Sequence, residues 1–170
     1  LSVKGKAAII LANGALSSDT SGEGEIRKNI LEADLVDCIL AMPSNLFYTV
    51  TIPCSIWILN RDKKQKGKTL FIDARNLGTM VTRKLRELSE ADIEKISSTY
   101  HKFVKEENYE DILGFCKAVT IDEIKENNYV LTPGRYVGVE EKEDDGIPFD
   151  EKMKTITSEL KKQFEESHKL

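Results

Sequence analysis

Two short apolar runs separated by a loop constrain the fold of this chain more than any other feature. The runs span residues 35–42 and 54–60, and each has the length and the β-branched and aromatic content of a buried strand. Loops between core strands are where a scaffold commonly displays functional side chains. The loop between these two runs carries an amide, two aromatic residues and two prolines, namely Asn45, Phe47, Tyr48, Pro43 and Pro53.

The segment before these runs predicts another strand and a helix. Residues 7–12 form an unbroken apolar run, which is typical of a strand buried on both faces. A polar loop that contains glycine follows. A helix is then expected to bury one face, formed by Ile26, Ile30 and Ala33.

A basic stretch over residues 62–68 follows the third apolar run and contains Gly67. We interpret it as a hairpin turn that leads into a fourth strand at residues 69–73. The order strand, helix, strand and hairpin is typical of the end of a doubly wound α/β sheet that includes one antiparallel strand. The predicted fold class is therefore α/β.

Helical patterns dominate after residue 78. Ser89 and Asp92 have capping-box spacing, and one apolar stripe follows them, formed by Ile93, Ile96, Tyr100, Phe103 and Val104. Residues 115–120 predict a short strand, and Thr120 with Glu123 predicts the start of a short helix. No internal repeat is present in the sequence.

The last part of the chain has a different character. Residues 140–146 consist of charged residues and one glycine. The absence of apolar residues from this stretch indicates a linker. Asp150 is expected to cap a final helix, whose apolar residues recur on one face as Met153, Ile156, Leu160 and Phe164. This stripe must be buried against its own chain or against a partner.

Charge limits the kinds of partner that the chain can bind. The 170 residues have a formal net charge of −4, which argues against strong autonomous binding to nucleic acid, because phosphate contacts need clustered Lys and Arg. The charge is uneven, however: residues 61–68 and 83–86 are basic, whereas residues 106–111 and 140–151 are acidic. This distribution fits a protein that touches DNA through one face only.

The remaining composition indicates an ordinary cytoplasmic globular protein. No apolar run approaches the roughly 20 residues of a membrane helix, and no signal-peptide pattern is present at the start. The three cysteines, Cys38, Cys54 and Cys116, lie in strand-like runs and are expected to be reduced, buried thiols. Neither His101 nor His168 has a second ligand at metal-binding spacing, so no metal site is expected.

Five short segments together carry a resemblance to a known family. They are residues 6–14 (KAAIILANG), 22–27 (GEGEIR), 46–48 (LFY), 70–75 (LFIDAR) and 127–136 (NNYVLTPGRY). In this order and spacing they resemble the C-terminal part of the modification (M) subunits of type I restriction-modification systems, which belong to the N6-Mtase family. The resemblance implies a site-specific, adenine-specific DNA methyltransferase that uses S-adenosylmethionine and has a Rossmann-like catalytic sheet. It also implies that strand 54–60 lies antiparallel between strands 7–12 and 35–42.

Two motifs of that family are absent from the chain. Neither a Gly-rich cofactor loop nor an Asn-Pro-Pro-Phe/Tyr catalytic motif occurs, and no Asn-Pro pair exists anywhere. We therefore expect the chain to be a fragment that is inactive alone, with no catalytic, cofactor-binding or metal-binding residues of its own. The expected divisions are residues 1–86 as the second half of the catalytic domain, 87–139 as a helical extension with a short strand, and 140–170 as a linker with a terminal helix.

The resemblance also suggests which residues lie near DNA or the target base. Asn45, Phe47 and Tyr48 are expected to form one wall of the pocket for a flipped adenine. The alternative is that Phe47 covers the sheet edge while Asn45 caps a turn. Relatives often have an aromatic residue near the end of the antiparallel strand, where this chain has Leu59, and Trp57 is expected to belong to the core.

The basic turn has two interpretations as well. Arg61, Lys63 and Lys64 could contact phosphates beside the flipped base, or they could form a solvated turn. Residues 127–136 could pack on their own domain or lead toward a partner. In the full complex, the resemblance implies duplex DNA and the specificity and restriction subunits as partners. The alternative from another class is a non-catalytic assembly or DNA-interaction module, and self-association of the fragment is also expected because one sheet edge should be exposed.

Overall fold

A five-stranded mixed sheet forms the centre of the molecule. The computed structural model describes residues 1–139 and 149–167. Its strands are β1 (Lys6–Ala12), β2 (Val36–Ala41), β3 (Cys54–Asn60), β4 (Lys68–Asp73) and β7 (Cys116–Thr120), in the order β1-β3-β2-β4-β7. A separate two-stranded hairpin consists of β5 (Thr79–Met80) and β6 (Arg86–Glu87). The helices are α1 (Glu23–Glu32), α2 (Glu90–Lys105), α3 (Ile121–Glu126) and α4 (Phe149–Ser167).

The third strand inserts between the first two, as the family resemblance implies. β3 pairs antiparallel with β1 on one side and with β2 on the other, and Trp57 stands opposite both Ile9 and Ile39. β1 and β2 consequently run parallel to each other without touching. The predicted position of the third strand is confirmed. The prediction that residues 7–12 are buried on both faces is wrong, because β1 is an edge strand and six of its seven residues are exposed.

The predicted hairpin between the third and fourth strands is wrong. β4 does not pair with β3; it pairs in parallel with β2, with Cys38 opposite Leu70. The connection over residues 61–67 therefore crosses the end of β2. Sequence spacing suggested a hairpin because the connection is short, but β3 already has a partner on each side and has no free edge for β4.

Helices cover both faces of the sheet. On one face, Leu31 of α1 and Ile124 of α3 belong to the same buried cluster as Ile39 and Phe71. On the other face, Phe103 of α2 packs in a cluster with Leu40, Leu70 and Ile72. β7 corresponds to the short strand predicted at residues 115–120, and it pairs antiparallel with β4 and extends the same sheet. The α/β fold class is confirmed.

Two predicted apolar stripes need correction. In α1 the buried residues are Arg27 and Leu31, whereas Ile26 and Ala33 are exposed and Ile30 is half-buried. In α2 the Ser89 capping box forms as predicted, but Ile93 is exposed, and the helix packs through Phe103 with Ile96, Tyr100 and Val104 around it. Ile26 and Ile93 lie in the first turns of their helices, whereas Ala33 follows the last residue of α1.

The last helix forms a unit of its own. Contacts divide the chain into Leu1–Glu140 and Glu141–Leu170, and α4 is the described part of the second unit. The helix is predicted correctly, but it begins at Phe149, so Asp150 lies in its first turn instead of capping it. Its apolar residues Met153, Ile156, Leu160 and Phe164 are exposed. The linker predicted at 140–146 lies outside the described residues.

Candidate functional site

The carboxyl ends of the parallel strands define one edge of the sheet, which we call the carboxyl edge. β1, β2 and β4 run in the same direction, so Asn13, Met42 and Ala74, which follow their last residues, lie along this edge. In open α/β sheets, ligands bind outside the carboxyl ends of the strands. The side-chain carbonyl oxygen of Asn13 is buried there without a hydrogen-bond partner among the described residues. The carboxyl edge is therefore the place where a functional site is expected.

The loop between β2 and β3 lies on the carboxyl edge and displays its aromatic residues. Residues 47–50 form a tight turn in which the Val50 amide donates to the Phe47 carbonyl at 3.3 Å. Tyr48 at the tip is 83% exposed and Phe47 is 43% exposed. Asn45 is half-buried and has a φ of 66°, in the left-handed region that asparagine tolerates better than most residues. The structure thus brings Asn45, Phe47 and Tyr48 together, and Phe47 does not serve as core.

A small hairpin that the sequence analysis did not predict supports this loop. The backbone amide of Arg86 in β6 donates to the Asn45 carbonyl at 2.7 Å. The Arg86 guanidinium also donates to the carbonyls of Leu77 and Gly78, at 3.0 and 3.2 Å. Gly78 has a φ of +76°, and a Cβ at this position would lie 2.7 Å from the Glu87 carbonyl oxygen, so only glycine fits. The basic run at residues 83–86 was the sequence feature that could have indicated this hairpin.

The other predicted DNA-facing residues lie at the opposite edge of the sheet. Leu59 is close to the carboxyl end of β3 and Arg61 follows it, whereas the aromatic loop precedes the first residue of this seven-residue strand. A strand of that length spans roughly 20 Å. The predicted residues therefore do not form a single site.

The basic turn at this opposite edge contains one cation that is paired inside the protein. Lys63 is buried, and its Nζ pairs with Asp34 Oδ1 at 2.5 Å. Arg61 Nη1 donates to the Leu1 carbonyl at 2.9 Å, whereas the Lys64 side chain is exposed. The expectation of several flexible cations at a hairpin tip is wrong for Lys63, because its charge is held inside the protein.

Leu59 and Trp57 face the helix α1 side of the sheet. Trp57 is buried and its indole N–H donates to Ser55 Oγ at 3.2 Å, which confirms the predicted core role. Leu59 is half-buried and lines an open apolar groove of about 240 Å³ together with Trp57, Ile9, Leu11 and Ile30. Leu59 contributes to an apolar surface beside β1 and not to the aromatic loop.

Arg27 has a role that the sequence analysis did not find. Its buried guanidinium donates through Nε to the Tyr129 carbonyl at 2.7 Å, through Nη1 to the Ser18 carbonyl at 2.7 Å, and through Nη2 to Asp19 Oδ1 at 3.0 Å. These bonds connect α1 with the loop after β1 and with the segment 127–131. Nη1 also donates to the Ala15 carbonyl at 3.4 Å, so this buried arginine has four acceptors and connects separate parts of the chain.

The segment 127–136 packs against its own domain. Leu131 is fully buried, and the Tyr136 ring stacks on Phe71 with a centroid distance of 4.3 Å. The Tyr129 hydroxyl donates to Glu32 Oε1 at 2.7 Å, and this hydrogen bond raises the pKa of Tyr129. Of the two interpretations of this segment, packing on the own domain is the one that the structure supports.

Other kinds of chemistry have no basis in the described part of the chain. No group of three or more metal-ligating side chains occurs in it, and none of its helices is both long and apolar enough to cross a membrane. Burial raises the pKa of the Cys38, Cys54 and Cys116 thiols, so these residues are not activated nucleophiles. Gly22 directly precedes α1 and Gly24 lies in its first turn, where Glu23 and Glu25 would repel a phosphate.

Comparison with known proteins decides the family. The N-6 DNA Methylase family model matches residues 1–145. The chain belongs to the N-6 DNA methylase family. It is 55% identical over 170 residues to the type I restriction enzyme HindI methylase subunit of Haemophilus influenzae, and 51% identical over 170 residues to the MjaIX methylase subunit of Methanocaldococcus jannaschii. These matches cover 100% and 98% of the chain, but only 38% and 30% of the two relatives.

A solved structure gives the same result for the fold of this N-6 DNA methylase segment. The type I restriction-modification methyltransferase subunit from Streptococcus thermophilus superposes with a TM-score of 0.70 and is 32% identical. The match covers 79% of this chain and 27% of that protein. The family resemblance carried by the five sequence motifs is confirmed, and the chain corresponds to part of a methylase subunit.

Proposed function

We propose that this chain is the DNA-facing second half of the catalytic domain in a type I modification subunit. The full-length protein would transfer a methyl group from S-adenosylmethionine to adenine N6 in duplex DNA. The observation that carries the proposal is the 55% identity to a type I methylase subunit, which extends over the whole chain. Two proteins can share a fold with much lower sequence identity than this, so the match indicates more than a common fold.

The geometry of the carboxyl edge supports a role beside the target base. An enzyme that modifies a base inside a duplex must extrude it and hold it by stacking and hydrogen bonds. The turn at residues 47–50 exposes two adjacent aromatic rings, and Asn45 supplies an amide in the same loop. We propose Asn45, Phe47 and Tyr48 as one wall of the base pocket. Leu59, Arg61 and Lys63 do not belong to this proposal, because they lie at the other edge of the sheet.

The remaining chemistry would come from other parts of the protein. The chain lacks the Gly-rich loop and the Asn-Pro-Pro-Phe/Tyr motif of its family. S-adenosylmethionine, when bound, supplies the methyl group, and the residues of this chain contribute by shaping the pocket and orienting the base. The fragment alone would therefore be inactive, and no residue in it is assigned a catalytic role.

Assembly partners follow from the same proposal. A type I modification subunit would work with a specificity subunit that recognises the DNA sequence and with a restriction subunit, in the cytoplasm. The exposed apolar residues of α4, which are Met153, Ile156, Leu160 and Phe164, recur at the spacing of a helix that packs against another helix. We propose α4 as the partner-contacting element of this chain.

Methyl transfer by the full-length protein tests the proposal. The subunit, purified in its complex, is incubated with tritiated S-adenosylmethionine and genomic DNA from a host that lacks the system. The labelled DNA is then hydrolysed to deoxynucleosides, and N6-methyl-2′-deoxyadenosine is expected to carry the label. Label in a methylated cytosine would refute adenine specificity. Absence of transfer would favour the second candidate, a non-catalytic assembly or DNA-interaction module with a methyltransferase-like sheet.

A further inference from the structure

The hairpin formed by β5 and β6 places two cations at the carboxyl edge. Its tip consists of residues 81–85, and the side chains of Arg83 and Lys84 are exposed there. Neither side chain makes an ion pair with any residue of the ranges 1–139 and 149–167. Both positive charges are therefore available to a ligand.

The hairpin is rigidly held although it is short. Val81 and Thr82 donate their amides to the Leu85 carbonyl, and the amides of Lys84 and Leu85 donate to Thr82 Oγ1. Leu85 is buried and anchors the tip to the domain. The guanidinium of Arg86 fastens the base of the hairpin to the carbonyls of Leu77 and Gly78. The backbone that carries the two cations is therefore held in place before any ligand arrives.

The hairpin adjoins the aromatic turn. The hydrogen bond from the Arg86 amide to the Asn45 carbonyl, at 2.7 Å, joins the two elements directly. Exposed Tyr48 and Phe47 therefore share the carboxyl edge with Arg83 and Lys84. Aromatic faces for a base and cations for the backbone are the two features that a protein needs to hold an extruded nucleotide together with its flanking strand.

Other cations of the domain are less suited to this role. Lys63 is paired with Asp34, and Arg75 at the carboxyl edge is paired with Asp73 at 2.5 Å. Lys64 and Lys66 are exposed, but they lie in the turn at the opposite edge. Glu87 is the acidic residue at the base of the hairpin, and it pairs in register with Thr79, away from the tip.

We propose that Arg83 and Lys84 bind the phosphates of duplex DNA that flank the target adenine. This assignment rests on the proposed function, because it takes the aromatic turn as the place of the extruded base. The hairpin would hold the duplex in register with the pocket without reading its sequence, since phosphate contacts position DNA and carry no sequence information. The cations predicted at residues 61–64 would not take part.

The salt dependence of DNA binding tests the assignment. The full-length subunit, purified in its complex, is titrated against a fluorescein-labelled 40-base-pair duplex of random sequence at several KCl concentrations. Each phosphate contact adds about 0.9 to the slope of log K against log salt, so the double variant Arg83→Gln/Lys84→Gln should lower the magnitude of the slope by about 1.8. The charge-conserving variant Arg83→Lys/Lys84→Arg should keep the wild-type slope.

A matched control separates a local contact from the effect of net charge. Lys64→Gln/Lys66→Gln removes the same two charges from the opposite edge and should leave the slope unchanged. An equal decrease in both double variants, or no decrease in Arg83→Gln/Lys84→Gln, overturns the assignment. Thermal melting shows whether each variant is folded. If the glutamine variant does not fold, the charge-conserving variant still tests the assignment.

Methylation kinetics distinguish this assignment from the proposed function. In the glutamine variant, the DNA concentration for half-maximal methylation should rise, while the single-turnover rate at saturating DNA stays within about twofold of wild type. If wild-type protein methylates adenine but the glutamine variant has wild-type kinetics, the hairpin assignment fails and the proposed function remains. If wild-type protein transfers no methyl group, the proposed function fails and the assignment fails with it.

Discussion

The Nζ atom of Lys63 lies 2.5 Å from Oδ1 of Asp34, and this pair connects the turn after β3 with the turn between α1 and β2. Asp34 Oδ2 also accepts the Gly67 amide at 3.0 Å, so one carboxylate holds both ends of the basic turn. The side chain of Lys63 is 1% exposed. A basic residue that sequence patterning suggested for phosphate binding is instead part of the internal framework.

Neutralising Asp34 should destabilise the protein. Asp34→Asn keeps a residue that tolerates the positive φ of 52°, but it leaves Lys63 without a counter-ion. Removal of one partner of a buried pair costs about 3–5 kcal/mol, and the lower end applies because Asp34 is 22% exposed. Thermal or urea unfolding of the subunit measures the loss. The double variant Asp34→Asn/Lys63→Met should recover most of it, and failure to recover would contradict the pairing.

Loss of an aromatic ring at the carboxyl edge should reduce methylation. Phe47→Ala removes a ring that is 43% exposed, so the free energy of unfolding should change by less than about 1 kcal/mol. Base stacking on an aromatic side chain contributes about 1–3 kcal/mol, which corresponds to roughly a 5- to 150-fold loss of methylation efficiency in the full-length enzyme. Phe47→Leu should not restore activity, because leucine has no flat face. A large fall in melting temperature with normal activity per folded molecule would refute the pocket role.

Stability should decrease at alkaline pH in part through Tyr136. Burial raises the pKa of this tyrosine to about 12, above the value of about 10 in an unfolded chain. The contribution of the neutral phenol is therefore complete below pH 10 and is lost as the pH rises from about 10 to about 12. Over that interval the titration of Tyr136 lowers the free energy of unfolding by about 1.4 kcal/mol per pH unit. Tyr136→Phe should flatten the curve of unfolding free energy against pH there, and identical slopes would contradict the assignment.

The fragment by itself should not bind S-adenosylmethionine. The chain has neither the Gly-rich loop nor the catalytic motif of its family. Isothermal titration of residues 1–170 with the cofactor should give no saturable heat. Saturable binding at micromolar concentration would reveal a cofactor site in this part of the domain.

The fragment should also associate with itself. β1 and β7 are the two edge strands of the five-stranded sheet, and Ile10 of β1 is 57% exposed. Unpaired strand edges and apolar surface favour pairing with another chain. Sedimentation velocity at several concentrations should show a concentration-dependent oligomer, which Ile10→Lys should weaken. If a variant that ends at residue 139 is monomeric while Ile10→Lys is not, exchange of the terminal helix is the cause. A strictly monomeric wild-type fragment would contradict both routes.

Structural elements that depend on short-range sequence patterns were predicted well. The strands at residues 7–12, 35–42 and 54–60 were found because unbroken apolar runs bounded by polar residues have few other solutions. The Ser89 capping box depends on residues three apart and formed as predicted. The placement of β3 between β1 and β2 came from the family resemblance, since no local pattern determines strand order.

Relationships between distant residues could not be predicted in the same way. The buried sides of α1 and α2 depend on which neighbours reach each turn, so Ile26 and Ile93 are exposed despite their apolar spacing. The role of Arg27 depends on carbonyl groups from residues 18 and 129, which come together only in the folded chain.

The sequence by itself determined the family, the class of fold and the loop that carries Asn45, Phe47 and Tyr48. Only the tertiary structure decided which other residues accompany that loop, because strand direction fixes the edge at which each connection emerges. β3 runs antiparallel to its neighbours, so the turn that contains Lys63 and Lys64 lies at the edge opposite to Phe47. β4 runs parallel to β2, so the hairpin with Arg83 and Lys84 follows its carboxyl end and reaches Asn45.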